Sequence, residues 1–109
     1  MNRYEIGDIC IAFEGKKRRP VVIINNGLGI DIDMSIARVS SQKARNEFDI
    51  VIEKWEKAGL EQPSIIRCSK INTIDPTDIS YKIGKLDNIE IKKVIETVKK
   101  YFEKGLEQI

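Results

Sequence analysis

Apolar and polar positions alternate in short blocks along most of this chain, then change period near its end. Ile6-Gly7-Asp8-Ile9-Cys10-Ile11-Ala12-Phe13 predicts a first strand, with Glu14-Gly15-Lys16-Lys17 as its turn. Val21-Val22-Ile23-Ile24 has the length and β-branched composition of a buried strand, closed by the turn signal Asn25-Asn26-Gly27. Residues 30–39 alternate with period two and predict one long strand with a single buried face. Ser40 to Glu47 breaks that pattern and reads as a loop. Phe48 to Ile52, Pro63 to Ser69, Lys70 to Ile74 and Ile79 to Ile83 each predict a further short strand. Between the first two of these, Glu53 to Ala58 predicts one helical turn ending at Gly59. From Asp87 to Phe102 the spacing becomes helical, with Ile91, Val94, Ile95, Val98 and Phe102 on one stripe. Asp87 is the predicted N-cap, with Glu90 three residues on. Short strands followed by one amphipathic helix predict a mainly β protein with helices, of α+β type. A small, strongly curved sheet or barrel would carry the helix against it.

Composition narrows this picture. At 109 residues the chain suits one domain spanning residues 1–109. It shows no apolar run of signal-peptide or membrane-spanning length, so a cytoplasmic protein without membrane association is expected. Cys10 and Cys68 sit among β-branched neighbours without metal-ligand spacing, and are expected to be buried structural thiols. With no histidine in the chain, imidazole acid–base catalysis is excluded and a zinc site is not expected.

Charge adds a location. The net charge is only +2, yet residues 15–45 carry seven Lys or Arg against Asp31 and Asp33. A local basic patch on a balanced protein suggests a defined polyanion site. Its densest part, Lys16-Lys17-Arg18-Arg19-Pro20, reads as a cationic loop running into a proline. Pro20 biases Arg19 towards extended backbone at the mouth of a sheet. An arginine held there meets a phosphate with a planar, bidentate fork. The competing reading is a solvated basic hairpin tip. Lys43 and Arg45 read as backbone-tracking charges or plain loop charges, and Trp55 as packing ahead of base stacking.

Several short segments, in order, resemble the MazF/PemK family of toxin ribonucleases, which includes Kid and shares its fold with the gyrase poison CcdB. They are Gly7-Asp8-Ile9, Arg18-Arg19-Pro20-Val21-Val22-Ile23, Val39-Ser40-Ser41-Gln42, Gly59-Leu60 with Ser64-Ile65-Ile66-Arg67, Ile71-Asn72-Thr73-Ile74-Asp75, and Ile83-Gly84-Lys85-Leu86. The resemblance implies an SH3-like β-barrel with a C-terminal amphipathic helix, a homodimer, and metal-independent cleavage of single-stranded RNA. It places the scissile phosphate between Arg19 and Ser40, with Ser41 as an adjacent rival. Arg67 matches the arginine of the family's Arg-x-Asp pair, and Ser69 stands where its aspartate would be. The histidine that some members carry in the first loop is missing here.

On this reading Arg19 and Ser40 are catalytic. Lys16, Lys17, Arg18, Ser41, Lys43, Arg45, Arg67 and Ser69 contact the RNA, and neither metal nor cofactor takes part. Arg19 suits charge stabilisation and not proton abstraction, because a guanidinium stays protonated. The proton acceptor is open between Glu14, a water and another carboxylate. The implied partners are single-stranded RNA, a second copy of the chain and a cognate acidic antitoxin. Two rivals stand beside the ribonuclease: a non-catalytic toxin that binds a protein target such as gyrase, and a degenerate member that binds RNA or antitoxin without cutting.

Overall fold

The computed structural model describes residues 3–109. Its strands are β1 (Asp8–Glu14), β2 (Lys17–Asn25), β3 (Met34–Ser40), β4 (Asp49–Val51), β5 (Ile65–Ile74) and β6 (Ile79–Lys85), followed by the helix α1 (Asn88–Leu106). All pair antiparallel in one six-stranded sheet of order β4-β5-β3-β2-β1-β6. The outer strands β4 and β6 do not pair with each other, so the sheet is barrel-like without closing.

Both faces of the sheet are buried. Alternate residues Ile9, Val22, Ala37, Ile66 and Cys68 join one apolar cluster with Val94 of α1. Their neighbours Cys10, Val21, Ile23 and Ile36 join a second cluster with Met34, Ile74 and Ile79. Period-two alternation delivers side chains of β1, β2, β3 and β5 to both clusters. The helix starts where the sequence predicts: the Asp87 side chain accepts the Glu90 N–H as N-cap. Trp55 is half-buried against the first cluster, as packing rather than stacking would have it.

Three expectations need correcting. The cationic run is not a loop. Glu14 pairs with Lys17, leaving Gly15 and Lys16 as a two-residue hairpin turn. Gly15, at φ +63°, provides the positive dihedral this turn needs. Lys17, Arg18, Arg19 and Pro20 therefore lie inside β2. Second, the long strand predicted from Ile30 begins only at Met34, because β3 first meets β2 at the Ser35–Asn25 pair. Residues 26–33 form a loop instead, with Ile30 and Ile32 exposed despite their alternation. Third, Pro63–Ser69 and Lys70–Ile74 are one strand, β5, interrupted by a bulge over Cys68-Ser69-Lys70. Glu53–Ala58, by contrast, makes the single helical turn expected, closed by one helical bond, Ala58 N–H to Lys54 C=O. Gly59 ends it at φ +91°, and a Cβ there would lie 2.6 Å from the Ile83 carbonyl oxygen. Glycine is what lets this turn press against β6.

Candidate functional site

Pro20 sets the position of the site. Within β2 it pairs with Ile11 of β1, while the ladder to β3 begins only at the next residue, Val21 opposite Arg38. A proline has no N–H to give a second neighbour, so β2 and β3 part there. Continuing that register by two residues sets Arg19 opposite Ser40 across the gap. A cleft of about 290 Å³ opens between the strands, lined by Arg19, Pro20, Arg38, Val39, Ser40, Gln42, Arg45, Arg67 and Lys70.

The arginines share one face by alternation. Arg19 follows the face of Val21 and Ile23, and Arg38 and Ser40 that of Met34 and Ile36. Arg67 lies between Ile66 and Cys68, both in the helix-side cluster, so it points to the cleft side. In the sheet ladder Asp49, Arg67, Arg38 and Val21 are successive lateral neighbours. Where β2 and β3 part, the apolar second cluster thus gives way to a polar row.

Two guanidiniums side by side repel, and a carboxylate compensates each. Glu14 Oε1 accepts from Arg38 Nε at 2.9 Å and lies 3.9 Å from Arg19 Nε. Its Oε2 accepts from Asn72 Nδ2 at 3.2 Å. Asp49 Oδ2 accepts from Arg67 Nη1 at 2.9 Å and from the Arg45 backbone N–H at 2.8 Å, with Arg45 Nε at 3.5 Å. The second nitrogen of Arg67 donates to Gln42 Oε1 at 3.0 Å and reaches Ser40 Oγ at 3.5 Å. Arg67 is 8% exposed and Asp49 0%, whereas Arg19 and Arg38 are 36% and 37% exposed. Two half-exposed forks therefore face solvent beside a buried one. Such an array, with four arginines and a lysine around it, fits an anion with several oxygens.

The structure gathers some of the sequence-predicted residues and disperses others. Arg19, Ser40, Arg45 and Arg67 meet in the cleft; Lys16, Lys17, Arg18, Ser41, Lys43 and Ser69 are not among its lining residues. Arg18 turns to the opposite face, its guanidinium 5.8 Å from the Phe13 ring centre and 5.9 Å from that of Tyr81. In the β5 bulge, Lys70 and not Ser69 reaches the cleft. Arg38, Gln42, Asp49 and Lys70 escaped the sequence reading. Arg38 was available in principle, since two residues before Ser40 on a strand is the same face. Asp49 was not, because its pairing with Arg67 depends on the β4–β5 register.

The cysteines play no part. Burial pushes the Cys10 thiol up to about 11 and the Cys68 thiol up to about 12, so both stay neutral and unreactive near pH 7. Among the described residues no cluster of His, Cys, Asp and Glu could hold a metal ion, and no helix is long and apolar enough to cross a membrane. A larger depression of about 810 Å³ lies beside the 26–33 loop. Its lining mixes Arg3, Glu5 and Asp31 with exposed Leu28, Ile30 and Ile32, charges of both signs rather than a cationic array. Size is a poorer guide here than chemistry.

Comparison with known proteins agrees with this fold. A family model described as "PemK-like, MazF-like toxin of type II toxin-antitoxin system" matches residues 8–102. No curated protein matches the sequence significantly. Among solved structures, the Mycobacterium tuberculosis toxin MazF-mt6 superposes with a TM-score of 0.72 at 23% identity, covering 88% of this chain and 96% of that one. An endoribonuclease in complex with its cognate antitoxin, from a mycobacterial species, gives 0.70 at 14% identity over 84% and 86%. A MazE-MazF complex from Deinococcus radiodurans gives 0.70 at 13% identity over 89% and 91%. At these identities the likeness establishes the fold.

Proposed function

The chain belongs to the PemK-like, MazF-like toxin family of type II toxin–antitoxin systems, and on that footing we propose that it is a sequence-selective endoribonuclease for single-stranded RNA. The observation that carries the proposal is the meeting of Arg19 and Ser40 where β2 and β3 separate, inside an arginine-ringed cleft.

RNA contains its own nucleophile. The 2′-oxygen attacks the adjacent phosphorus, the bond to the 5′-oxygen breaks, and the products are a 2′,3′-cyclic phosphate and a 5′-hydroxyl. The 2′-hydroxyl proton leaves to a base, and the departing 5′-oxygen takes one up. The protein must align that attack and neutralise charge on the phosphate oxygens. Arg19 and Arg38 present half-exposed forks for those oxygens, and the Ser40 hydroxyl donates to a third. Glu14 is the carboxylate nearest Arg19, but its side chain is 6% exposed and already accepts from Arg38 and Asn72, so it orders the two forks and the proton leaves to water. Asp49 is enclosed by its arginines and cannot reach a substrate.

The same cleft suits an inhibitor. Its arginines already take carboxylates from Glu14 and Asp49, so an acidic antitoxin segment can offer carboxylates in place of phosphates. Such binding weakens as salt rises. Exposed Ile89, Phe102 and Leu106 on α1 and Ile30 on the loop leave apolar surface for a homodimer to cover.

The deciding experiment incubates purified protein with mixed-sequence single-stranded RNA in excess EDTA and maps the cut ends. Cleavage at a defined short sequence, with cyclic phosphate ends and with DNA of the same sequence left intact, is expected. A requirement for magnesium, or equal cutting of DNA, would reject the 2′-hydroxyl mechanism. Tight RNA binding without any cleavage would identify a degenerate binder.

A further inference from the structure

The ribonuclease reading gives Arg67 a phosphate-side position but does not say what holds it there. Arg67 is the only cleft arginine with a nearly buried side chain. One of its terminal nitrogens is tied to Asp49 Oδ2, leaving the other to face Gln42 and Ser40. The same carboxylate oxygen takes the backbone N–H of Arg45, at the middle of the loop between β3 and β4. That loop supplies Gln42 and Arg45 to the cleft. One oxygen on the edge strand β4 thus fixes the Arg67 fork on β5 and the wall of the cleft opposite it. Asp49 is the cross-strand partner of Arg67, so the pair is set by the ladder and not by a mobile surface contact.

We propose that Asp49 is a positioning residue: its carboxylate holds the Arg67 fork and the 41–48 loop in the geometry that receives the scissile phosphate. Asp49 touches no substrate itself. Without its charge, Arg67 keeps its guanidinium but loses the anchor that aims the second nitrogen towards Ser40. A loosened fork still attracts RNA, because Arg19, Arg38 and Lys70 remain. What it loses is alignment at the reacting phosphorus, and misplacement on the scale of an ångström costs on the order of 10²-fold in rate.

The test is a double-mutant cycle of Asp49→Asn and Arg67→Ala, read in single-turnover cleavage of RNA and in binding of a 2′-deoxy strand that cannot be cut. Asp49→Asn is expected to slow cleavage about 10²-fold while strand affinity changes by less than about threefold. In the Arg67→Ala background the same change should add almost nothing, since an anchor has no effect once its arginine is gone. Asp49→Glu, which keeps the charge one methylene out of place, should retain part of the rate. A second readout is independent of cleavage: side-chain ¹⁵N signals of Arg67 should show slow guanidinium rotation in the native protein and fast rotation in Asp49→Asn. Failure of the native protein to cut RNA would sink the ribonuclease reading alone, and the ¹⁵N signals would still decide whether Asp49 orders Arg67. Full cleavage in a folded Asp49→Asn, losses that multiply in the double variant, or unchanged Arg67 rotation would each overturn the proposal.

Discussion

Strands β2, β3 and β5 build two different regions from alternate residues of the same segments. Towards the helix they place Val22, Ala37, Val39, Ile66 and Cys68, all buried and apolar. Towards the cleft, from the last β2–β3 pair, Val21–Arg38, outward, they place Arg19, Arg38, Ser40 and Arg67. The first region is held by area removed from water, to which each side chain contributes independently of any partner's charge. The second is a set of like charges kept close by Glu14 and Asp49. It would hold itself together better with an anion present, as a binding site should. Alternation lets one strand serve both purposes without either region diluting the other.

The sharpest way to test that separation is to change one residue in each region and read both activity and stability. Arg19→Ala should lower RNA cleavage by about 10²–10³-fold, the usual cost of removing one charge-stabilising donor. Its thermal midpoint should stay close to the native one, since Arg19 is half-exposed and 3.9 Å from Glu14. Arg18→Ala should leave cleavage nearly intact, because that side chain lies on the other face against Phe13 and Tyr81. Equal losses from the two substitutions, in folded proteins, would break the assignment of opposite faces. On the helix side, Ile66→Ala should destabilise by about 2–5 kcal/mol in denaturant unfolding, with cleavage per folded molecule nearly unchanged. A large fall in the specific rate of that variant would mean the two regions are coupled.

Smaller effects sharpen the comparison further from the cleft. The Glu90 N–H, then the Lys54 ammonium, hold the Asp87 carboxyl below its ordinary value of 3.8. A group depressed on folding stabilises the native state above its unfolded pKa. That contribution disappears as pH falls from about 3.8 through the lower folded value. Asp87→Ala should therefore lower the thermal midpoint at pH 7 by less than Ile66→Ala, and the difference from the native protein should vanish in acid. Cleavage at neutral pH should be unaffected, because α1 lies on the side away from the cleft.

Much of the site was legible because strand periodicity and proline chemistry are local. Arg19 before Pro20, and Ser40 at the end of an alternating run, follow from sequence with the resemblance to guide them. The basic run misled in one respect: its density suggested a loop in which Pro20 alone set Arg19 apart. In a strand, successive residues point opposite ways, so Arg18 and Arg19 were never equivalent once the hairpin turn closed at Gly15-Lys16. The 26–33 loop misled for a related reason. Its alternation satisfied the strand pattern, but a strand also needs a partner, and β2 offers β3 none before Ser35.

What the sequence by itself determined was what depends on near neighbours: the cores of most strands, the helix with its Asp87 cap, the inert thiols, the absence of imidazole chemistry, and the local excess of positive charge. What only the tertiary structure decided was which charges meet. Asp49 stands opposite Arg67, eighteen residues away, and Glu14 reaches Arg38, twenty-four away. Both distances are spanned by ladder register, and a shift of one residue would have turned each side chain to the other face of the sheet.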